Sequence, residues 1–266
     1  MVMNRIDAKF KELRKSNKKA FITFITAGDP SLKVTEELVL AFENSGVDMV
    51  ELGVPFSDPM ADGPTIQASS ERALNKNVTL QKIFETVAWI RKHSEIPILL
   101  MMYYNSVLAM GEEQFVRQSA SAGVDGVIIP DLPPEEAGTL IKAARKLSLA
   151  TVFFLSPTTA PDRVKKIIRS ATGFIYYVSI TGVTGAKRNL PSDVLAAVRL
   201  AQRKTRTPVC VGFGVSTALQ VKSMSAVADG VIVGSAIVHE IYKNNGKKEL
   251  VKNVARFVAD LAKGLK

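Results

Sequence analysis

Eight short apolar segments, each followed by a segment with helical periodicity, constrain the fold of this chain more than any other feature. We predict strands at residues 21–26, 48–52, 96–102, 124–129, 151–155, 174–178, 209–212 and 231–234. These segments are apolar on both faces, which is typical of parallel strands covered by helices. The alternation predicts the α/β class and a single (β/α)8 TIM barrel over residues 1–266, with an extra N-terminal helix at roughly residues 3–16.

Short repeats at the strand openings favour a closed barrel over an open sheet. Gly46-Val47-Asp48, Gly123-Val124-Asp125 and Ala228-Asp229-Gly230 each stand directly before or at the start of a predicted strand. In a closed barrel the carboxyl ends of all strands form one rim, where the chemistry is found. Residues that directly follow the strands are therefore the candidate functional residues.

Glu51 stands near the end of the second predicted strand, and the loop after that strand carries two more carboxylates, Asp58 and Asp62. Proline fixes φ and lowers the entropic cost of ordering a loop. This loop contains three prolines, Pro55, Pro59 and Pro64. An ordered loop of carboxylates indicates a chemical use, with Glu51 as the first candidate. The structural alternative, in which Glu51 caps a neighbouring helix, stays open at this point.

Three glycine-containing loops predict a phosphate site on the same rim. They lie at residues 182–185 after strand six, at 212–214 after strand seven, and at Gly234 with Ser235 after strand eight. Barrels bind phosphate at these strands through backbone N–H groups and a helix N-terminus. One such loop alone would more often be a tight turn, but three on one rim favour a phosphate monoester as part of the substrate.

Apolar and aromatic residues near the strand ends could form a flat pocket for an aromatic group. They are Phe24, Met101, Ile128, Phe154, Tyr176 and Phe213. The alternative is that they simply fill the barrel. Burial of Glu51 beside them would raise the pKa of its carboxyl toward neutrality, where it can both give and take protons.

Composition narrows the chemistry further. Cys210 is the one cysteine, and His93 and His239 are the two histidines, so no nitrogen- or sulfur-ligated metal site is expected. An all-oxygen magnesium site stays open. No lysine ends a predicted strand, which argues against a Schiff-base aldolase. The remaining candidates are acid–base reactions on a substrate that supplies its own electron sink, such as an indole ring protonated at C3.

The net charge of +10 raises the question of nucleic-acid binding. The excess lies in residues 9–19, 163–169, 199–206 and 243–266, where apolar residues recur at helical spacing. This pattern indicates solvated helix faces, and no aromatic residues alternate with the basic ones. We therefore expect no nucleic-acid partner, no membrane association, and a cytoplasmic location.

Seven motifs spread over nearly the whole chain resemble the tryptophan synthase alpha chain family. They are FITAGDP at 24–30, ELGVPFSDPMADGPTIQ at 51–67, MMYYN at 101–105, PDLPPEE at 130–136, GVTGA at 182–186, GFGVS at 212–216 and VGSAIV at 233–238. The resemblance implies a carbon–carbon lyase that cleaves indole-3-glycerol phosphate by a retro-aldol reaction to indole and glyceraldehyde 3-phosphate. Two departures are Met102, where the family pattern leads us to expect threonine, and the apolar Ile180.

The same resemblance implies roles for individual residues. Glu51 would be the catalytic acid and base, and Asp62 would accept the indole N–H. The residues beside the substrate would be Phe24, Tyr103, Tyr176, Thr184 and Phe213, with Thr184 in a lid. The phosphate would be held by Gly185, Gly214, Gly234 and Ser235.

The resemblance also implies a partner. The expected assembly is a heterotetramer of two alpha and two beta chains, in which indole passes to a pyridoxal phosphate site of the beta chain. Asp58 and Asn105 would face that partner, and the alpha chain itself would need no metal and no cofactor. One alternative is a non-catalytic alpha chain that only activates its partner. Another, the barrel that forms indole-glycerol phosphate, would need a lysine at a strand end.

Overall fold

A computed structural model of the chain describes residues 3–178, 192–212 and 214–265, with backbone only at 192–197. Eight parallel strands close into a barrel in chain order. The strands are β1 Ala20–Thr26, β2 Met49–Gly53, β3 Ile98–Met101, β4 Gly126–Ile128, β5 Ala150–Leu155, β6 Ile175–Val178, β7 Val209–Gly212 and β8 Gly230–Val233. The predicted (β/α)8 fold is confirmed.

Helices cover the outside of the barrel. In the part that the structure describes they are α1 Arg5–Lys15, α2 Leu32–Glu43, α3 Pro64–Leu74, α4 Leu80–Ile90, α5 Tyr104–Met110, α6 Glu112–Ala122, α7 Gly138–Lys146, α8 Pro161–Ser170, α9 Ser192–Lys204, α10 Ala218–Ser225, α11 Ser235–Asn244 and α12 Leu250–Ala262. A short 3₁₀ turn, Lys263–Leu265, follows. No helix within these ranges has the length and apolar character needed to cross a bilayer.

The predicted strand bounds differ from the observed ones by up to two residues, and the largest differences have identifiable causes. Strand β3 begins at Ile98, because the carbonyl of Ile96 accepts a hydrogen bond from Arg91 of the preceding turn. Strand β4 begins at Gly126, because the N–H of Val124 donates to Ser119 at the end of α6. Likewise Pro64 is the first residue of α3, a position that suits proline, and lies beyond the loop proper.

Alternate residues of the strands point into the barrel and away from it. One buried cluster fills the barrel interior toward the amino-terminal ends of the strands, and it includes three residues of α1, Ile6, Phe10 and Leu13. The side chains that point outward pack instead under the surrounding helices, as Phe21 and Ile25 do. Helix α1 therefore closes the amino-terminal end of the barrel, and the opposite rim is left for the site.

The three sequence repeats at strand openings share one structural role. The carboxylates of Asp48, Asp125 and Asp229 accept the backbone N–H groups of Phe21, Ile98 and Val209, at 2.9, 2.8 and 2.9 Å. The N–H of each aspartate donates in return to the carbonyl of the same residue. Each repeat thus joins the start of one strand to the start of its neighbour at the amino-terminal end.

Asp125 is the most heavily bonded of the three. Its side chain is 3% exposed and also accepts hydrogen bonds from Arg91 at 2.6 Å and from Arg5 at 3.0 Å. Since Arg5 opens α1, this carboxylate connects the closing helix to β3 and β4.

We expect Asp125→Ala to destabilise the protein by about 3–5 kcal/mol, because it leaves the nearly buried guanidinium of Arg91 without its carboxylate. Urea unfolding followed by circular dichroism measures this change. The control is Asp162→Ala, which breaks an ion pair with Lys165 in which the aspartate side chain is 91% exposed. Equal destabilisation by both variants would contradict the role assigned to Asp125.

Candidate active site

Glu51 lies in β2, where its Cα pairs with Phe24 of β1 and Leu99 of β3. Its side chain is fully buried. Neither carboxylate oxygen has a hydrogen-bond partner among the described residues. The alternative in which Glu51 caps a neighbouring helix is therefore not supported by the described contacts. Burial raises the pKa of the carboxyl from 4.5 to about 8, so Glu51 is mainly protonated at neutral pH.

Asp62 is held by the hydroxyl group of Tyr103, a residue that follows β3. The Tyr103 hydroxyl donates to Oδ2 of Asp62 at 3.0 Å and accepts the N–H of Ala61 at 2.9 Å. Phe56, at the start of the same loop, stacks on the Tyr103 ring with centroids 5.1 Å apart. Burial raises the pKa of Asp62, and the hydrogen bond from Tyr103 lowers it. The effect of burial is the larger, so the pKa of Asp62 is raised overall, while Tyr103 positions this carboxylate and favours its charged form.

Two aromatic rings approach the backbone so closely that only glycine fits opposite them. A Cβ atom on Gly53 would lie 2.5 Å from the Phe24 ring, and one on Gly212 would lie 2.3 Å from the Tyr176 hydroxyl. Tyr176 also packs against Phe154, with ring centroids 4.9 Å apart. Burial raises the pKa of Tyr176 well above its ordinary value, and the nearby Glu51 carboxyl raises it further. Two of the aromatic residues predicted from the sequence therefore lie near Glu51, since Phe24 is its neighbour on β1 and Tyr176 is close enough to feel its charge.

A cavity lies between the Asp62 loop and this aromatic layer. It is lined by Phe24, Gly53, Val54, Asp62, Ile66, Ser70, Met101, Met102, Tyr103 and Pro130. Its volume of about 10 Å³ is room for one water molecule. An indole ring is larger, so ligand binding requires these side chains to move apart.

Ile66, Ser70 and Pro130 are cavity residues that the sequence reasoning missed. Ile66 and Ser70 lie four residues apart on α3 and therefore on one face of that helix. The helical spacing was the signal that could have revealed them. Met102, noted in the sequence as a departure, is 1% exposed and does line the cavity.

The predicted phosphate residues are only partly described. Gly234 is the N-cap of α11, Ser235 begins that helix, and no side chain caps its first turn. Gly234 lies next to Phe24, since a Cβ on this glycine would be 3.4 Å from that of Phe24. Gly214 has a φ of +45° and is exposed. Thr184, Gly185, Phe213 and Ile180 lie outside the described residues.

The residues expected to face a partner are on the same rim. Asp58 is exposed and accepts a hydrogen bond from the Ser57 hydroxyl at 2.7 Å. Asn105 is exposed in the first turn of α5. Two large apolar residues stand beside them in sequence, Met60 at 92% and Leu108 at 60% exposure.

The profile of the family described as "Tryptophan synthase alpha chain" matches residues 10–266. The chain belongs to the tryptophan synthase alpha chain family. Tryptophan synthase alpha chains from Geotalea daltonii and Geobacter sulfurreducens are 50% and 49% identical to it, over 99% of this chain and 99% of each relative.

Solved structures of the tryptophan synthase alpha chain agree with this assignment. Tryptophan synthase subunit alpha from Legionella pneumophila has a TM-score of 0.93 and 36% identity, covering 99% of both chains. A chain of the tryptophan synthase complex from Pyrococcus furiosus has a TM-score of 0.83 and 37% identity, covering 92% of this chain and 98% of that one. The family resemblance and the assignment as the lyase subunit of tryptophan synthase are confirmed, and nothing in these matches favours a non-catalytic alpha chain.

The donor atoms of the site are those of acid–base chemistry. Over the described ranges, no three His, Cys, Asp or Glu side chains are grouped as metal ligands would be. Cys210 is buried in the barrel, where burial raises the pKa of its thiol well above the ordinary value.

The raised pKa of Glu51 predicts that stability falls as the pH rises. The folded protein keeps the Glu51 proton up to about pH 8, whereas the unfolded chain loses it near 4.5. The stability contributed by the neutral carboxyl is therefore fully present below pH 4.5 and is lost as the pH approaches 8. Within this window the loss is about 1.4 kcal/mol per pH unit.

Glu51→Gln cannot ionise and should lack this loss. Urea unfolding of both proteins at pH 5, 6, 7 and 8 measures it, with the exposed Glu37→Gln as control. The free energy of unfolding of Glu51→Gln relative to that of the parent should increase with pH, while that of Glu37→Gln relative to the parent should stay constant. Parallel profiles for Glu51→Gln and the parent would contradict a buried neutral carboxyl.

Proposed function

We propose that the chain cleaves indole-3-glycerol phosphate to indole and D-glyceraldehyde 3-phosphate, with Glu51 and Asp62 as its catalytic residues. The observation that carries this proposal is a fully buried carboxyl group without a described hydrogen-bond partner, near Tyr176, whose pKa is raised both by this carboxyl and by that of Asp62. A carboxyl group with a pKa of about 8 holds a proton at neutral pH and can release it to a carbon atom.

Glu51 would act twice in one turnover. As the neutral acid it donates its proton to C3 of the indole ring, which turns the ring into an electron-accepting iminium. The resulting carboxylate then takes the proton of the hydroxyl group next to the breaking bond. As that C–C bond breaks, its electrons return to the ring and the hydroxyl carbon becomes an aldehyde. Glu51 ends the turnover protonated, as it began.

Asp62 would stabilise the positive charge of the iminium by accepting the indole N–H. A preorganised charge at a water-excluded site is the usual source of a large catalytic effect. Tyr103 supports this role, because its hydroxyl already binds Oδ2 of Asp62. Phe24 and Tyr176 would flank the indole ring, and the residues outside the described ranges, Thr184 and Phe213, stay predictions as lid and substrate contact.

The phosphate group would lie at the start of α11. The first N–H groups of a helix lack intrahelical acceptors and carry the positive end of its dipole. The absence of a side-chain cap at Gly234 and Ser235 supports this position. Gly214 would add backbone contacts from the loop after β7, and Gly185 stays a prediction.

A beta chain would cover the rim at Asp58 and Asn105. The exposed Met60 and Leu108 next to them support an apolar contact there, and the related Pyrococcus furiosus protein was solved as a tryptophan synthase complex. We propose a heterotetramer of two alpha and two beta chains, with pyridoxal phosphate only in the beta chain. The cytoplasmic location expected from the sequence stays a prediction that cell fractionation can test.

We expect Glu51→Gln to lower indole release from indole-3-glycerol phosphate by at least ~1,000-fold, because glutamine cannot transfer the proton. Asp62→Asn should lower it by ~100-fold, because the amide cannot balance the iminium charge. Turnover is measured by colorimetric detection of indole with and without the beta chain. Turnover by Glu51→Gln within tenfold of the parent would overturn the assignment, and Glu37→Gln serves as the matched control.

Tyr103→Phe should change the pH dependence of the reaction. Loss of the hydroxyl removes the hydrogen bond that lowers the pKa of Asp62, so this carboxylate becomes protonated at a higher pH. The acidic limb of the kcat/KM profile should therefore move to higher pH in the variant. An unmoved limb would show that Tyr103 does not control the charge of Asp62.

A further inference from the structure

An ion pair between a buried aspartate and a half-buried arginine stands next to the site and takes no part in the proposed chemistry. Asp29 follows Gly28 in the loop after β1, and its side chain is 3% exposed. Its Oδ1 accepts Nε of Arg72 at 2.9 Å, and its Oδ2 accepts Nη2 of Arg72 at 2.6 Å. The Ser69 hydroxyl donates to the same Oδ2. Such two-point pairing fixes the direction of the guanidinium as well as its place.

The guanidinium of Arg72 also reaches a third element. Its Cζ lies 4.9 Å from the centre of the Tyr242 ring, which belongs to α11. A cation over an aromatic face is attracted by the ring quadrupole. The pKa of Arg72 is raised, first of all by its hydrogen bonds to Asp29. Arg72 of α3 therefore joins the end of β1 to α11.

A second contact joins the same three elements closer to the site. Phe24 of β1, Ile66 of α3 and Val238 of α11 form one buried apolar cluster. Val238 and Tyr242 are one helical turn apart on α11, so the two contacts lie one above the other. Two contacts at different levels fix the direction of α3 relative to α11, which one contact cannot do.

These two helices carry opposite ends of the proposed site. Helix α3 begins at Pro64, two residues after Asp62, and its Gln67 side chain donates to the Asp62 carbonyl at 2.9 Å. Helix α11 begins with Ser235, where the phosphate is proposed to bind. The direction of α3 against α11 therefore sets the distance between the group that binds the ring and the group that binds the phosphate.

We propose that Arg72 is a positioning residue for the cleavage reaction, which through Asp29 and Tyr242 sets Asp62 and the start of α11 at the spacing of one substrate molecule. This inference rests on the proposed function. Arg72 touches no reacting atom. Its effect is on the simultaneous binding of both ends of the substrate.

Two variants weaken the contact by different amounts without removing the positive charge. Arg72→Lys keeps a cation beside Asp29 but loses the two-point geometry. Tyr242→Leu removes the aromatic face and leaves the Asp29 pair intact, at a position that is 56% exposed. The matched controls are Tyr242→Phe, which keeps the ring, and Arg117→Lys, whose exposed arginine pairs with Glu113 on α6.

The decisive measurement compares ligands that bind one end of the site with ligands that bind both. Indole probes the ring end, glycerol 3-phosphate probes the phosphate end, and indole-3-propanol phosphate carries both ends without the hydroxyl that reacts. We expect Arg72→Lys to weaken the binding of indole-3-propanol phosphate by ~10-fold and to lower kcat/KM by ~10-fold. The reason is that a small misplacement of α3 against α11 prevents both ends of the ligand from binding at once. Binding of either half ligand should change less than ~2-fold, because each end stays intact.

For Tyr242→Leu, the affinity for indole-3-propanol phosphate and kcat/KM should fall by ~3-fold, with the half ligands again little affected. Both controls should bind all three ligands as the parent does. The proposal is overturned if folded Arg72→Lys, checked by thermal unfolding, binds indole-3-propanol phosphate as the parent does. It is also overturned if the half ligands weaken as much as the whole one, which is what general destabilisation would cause. If the parent binds the analogue but releases no indole, the proposed function fails while this binding test stays readable.

Discussion

The carboxyl group of Glu51 is fully buried and has no described hydrogen-bond partner. The rest of the site depends on this burial. An ionised carboxylate in such a place would lose its hydration without compensation, so the group keeps its proton instead. The surrounding residues maintain this condition. Phe24 and Tyr176 lie against glycine backbone at Gly53 and Gly212, and the Glu51 side chain has no exposed surface. The site accepts a loss of stability to hold an acid that is available at neutral pH.

That loss is tolerable because the barrel beneath the site is held by strong contacts. The backbone of β1, β3 and β7 is bonded to aspartates at the openings of β2, β4 and β8. Helix α1 fills the amino-terminal end of the barrel with Ile6, Phe10 and Leu13. The buried carboxyl without a described partner thus lies toward the carboxyl-terminal rim, and the stabilising contacts lie at the amino-terminal end. This is the division expected of (β/α)8 enzymes.

In the proposed function, the two ends of the substrate would be held by different parts of the chain. Asp62 is placed by Tyr103 after β3, and the phosphate is proposed to bind at the start of α11 after β8. Their relative position is set by contacts that lie behind the site, where Asp29, Arg72 and Tyr242 join β1, α3 and α11. Because a substrate that spans two elements binds well only at one spacing, these contacts belong to the function as well as to the fold.

The sequence by itself determined the barrel, the family and the residues most involved in the proposed chemistry. Strand periodicity, the placement of Glu51 near the end of one strand and of Asp62 in the loop after it, and the glycines at the ends of β7 and β8 are local patterns, which sequence displays directly. Only the tertiary structure decided that Glu51 has no hydrogen-bond partner among the described residues, that Tyr103 holds Asp62, and that Ile66 and Ser70 line the cavity. Likewise, only the fold brings Arg72 to Asp29, 43 positions away in the chain, and to the ring of Tyr242. These contacts depend on how distant segments are brought together when the barrel closes, and no local pattern of residue types encodes that geometry.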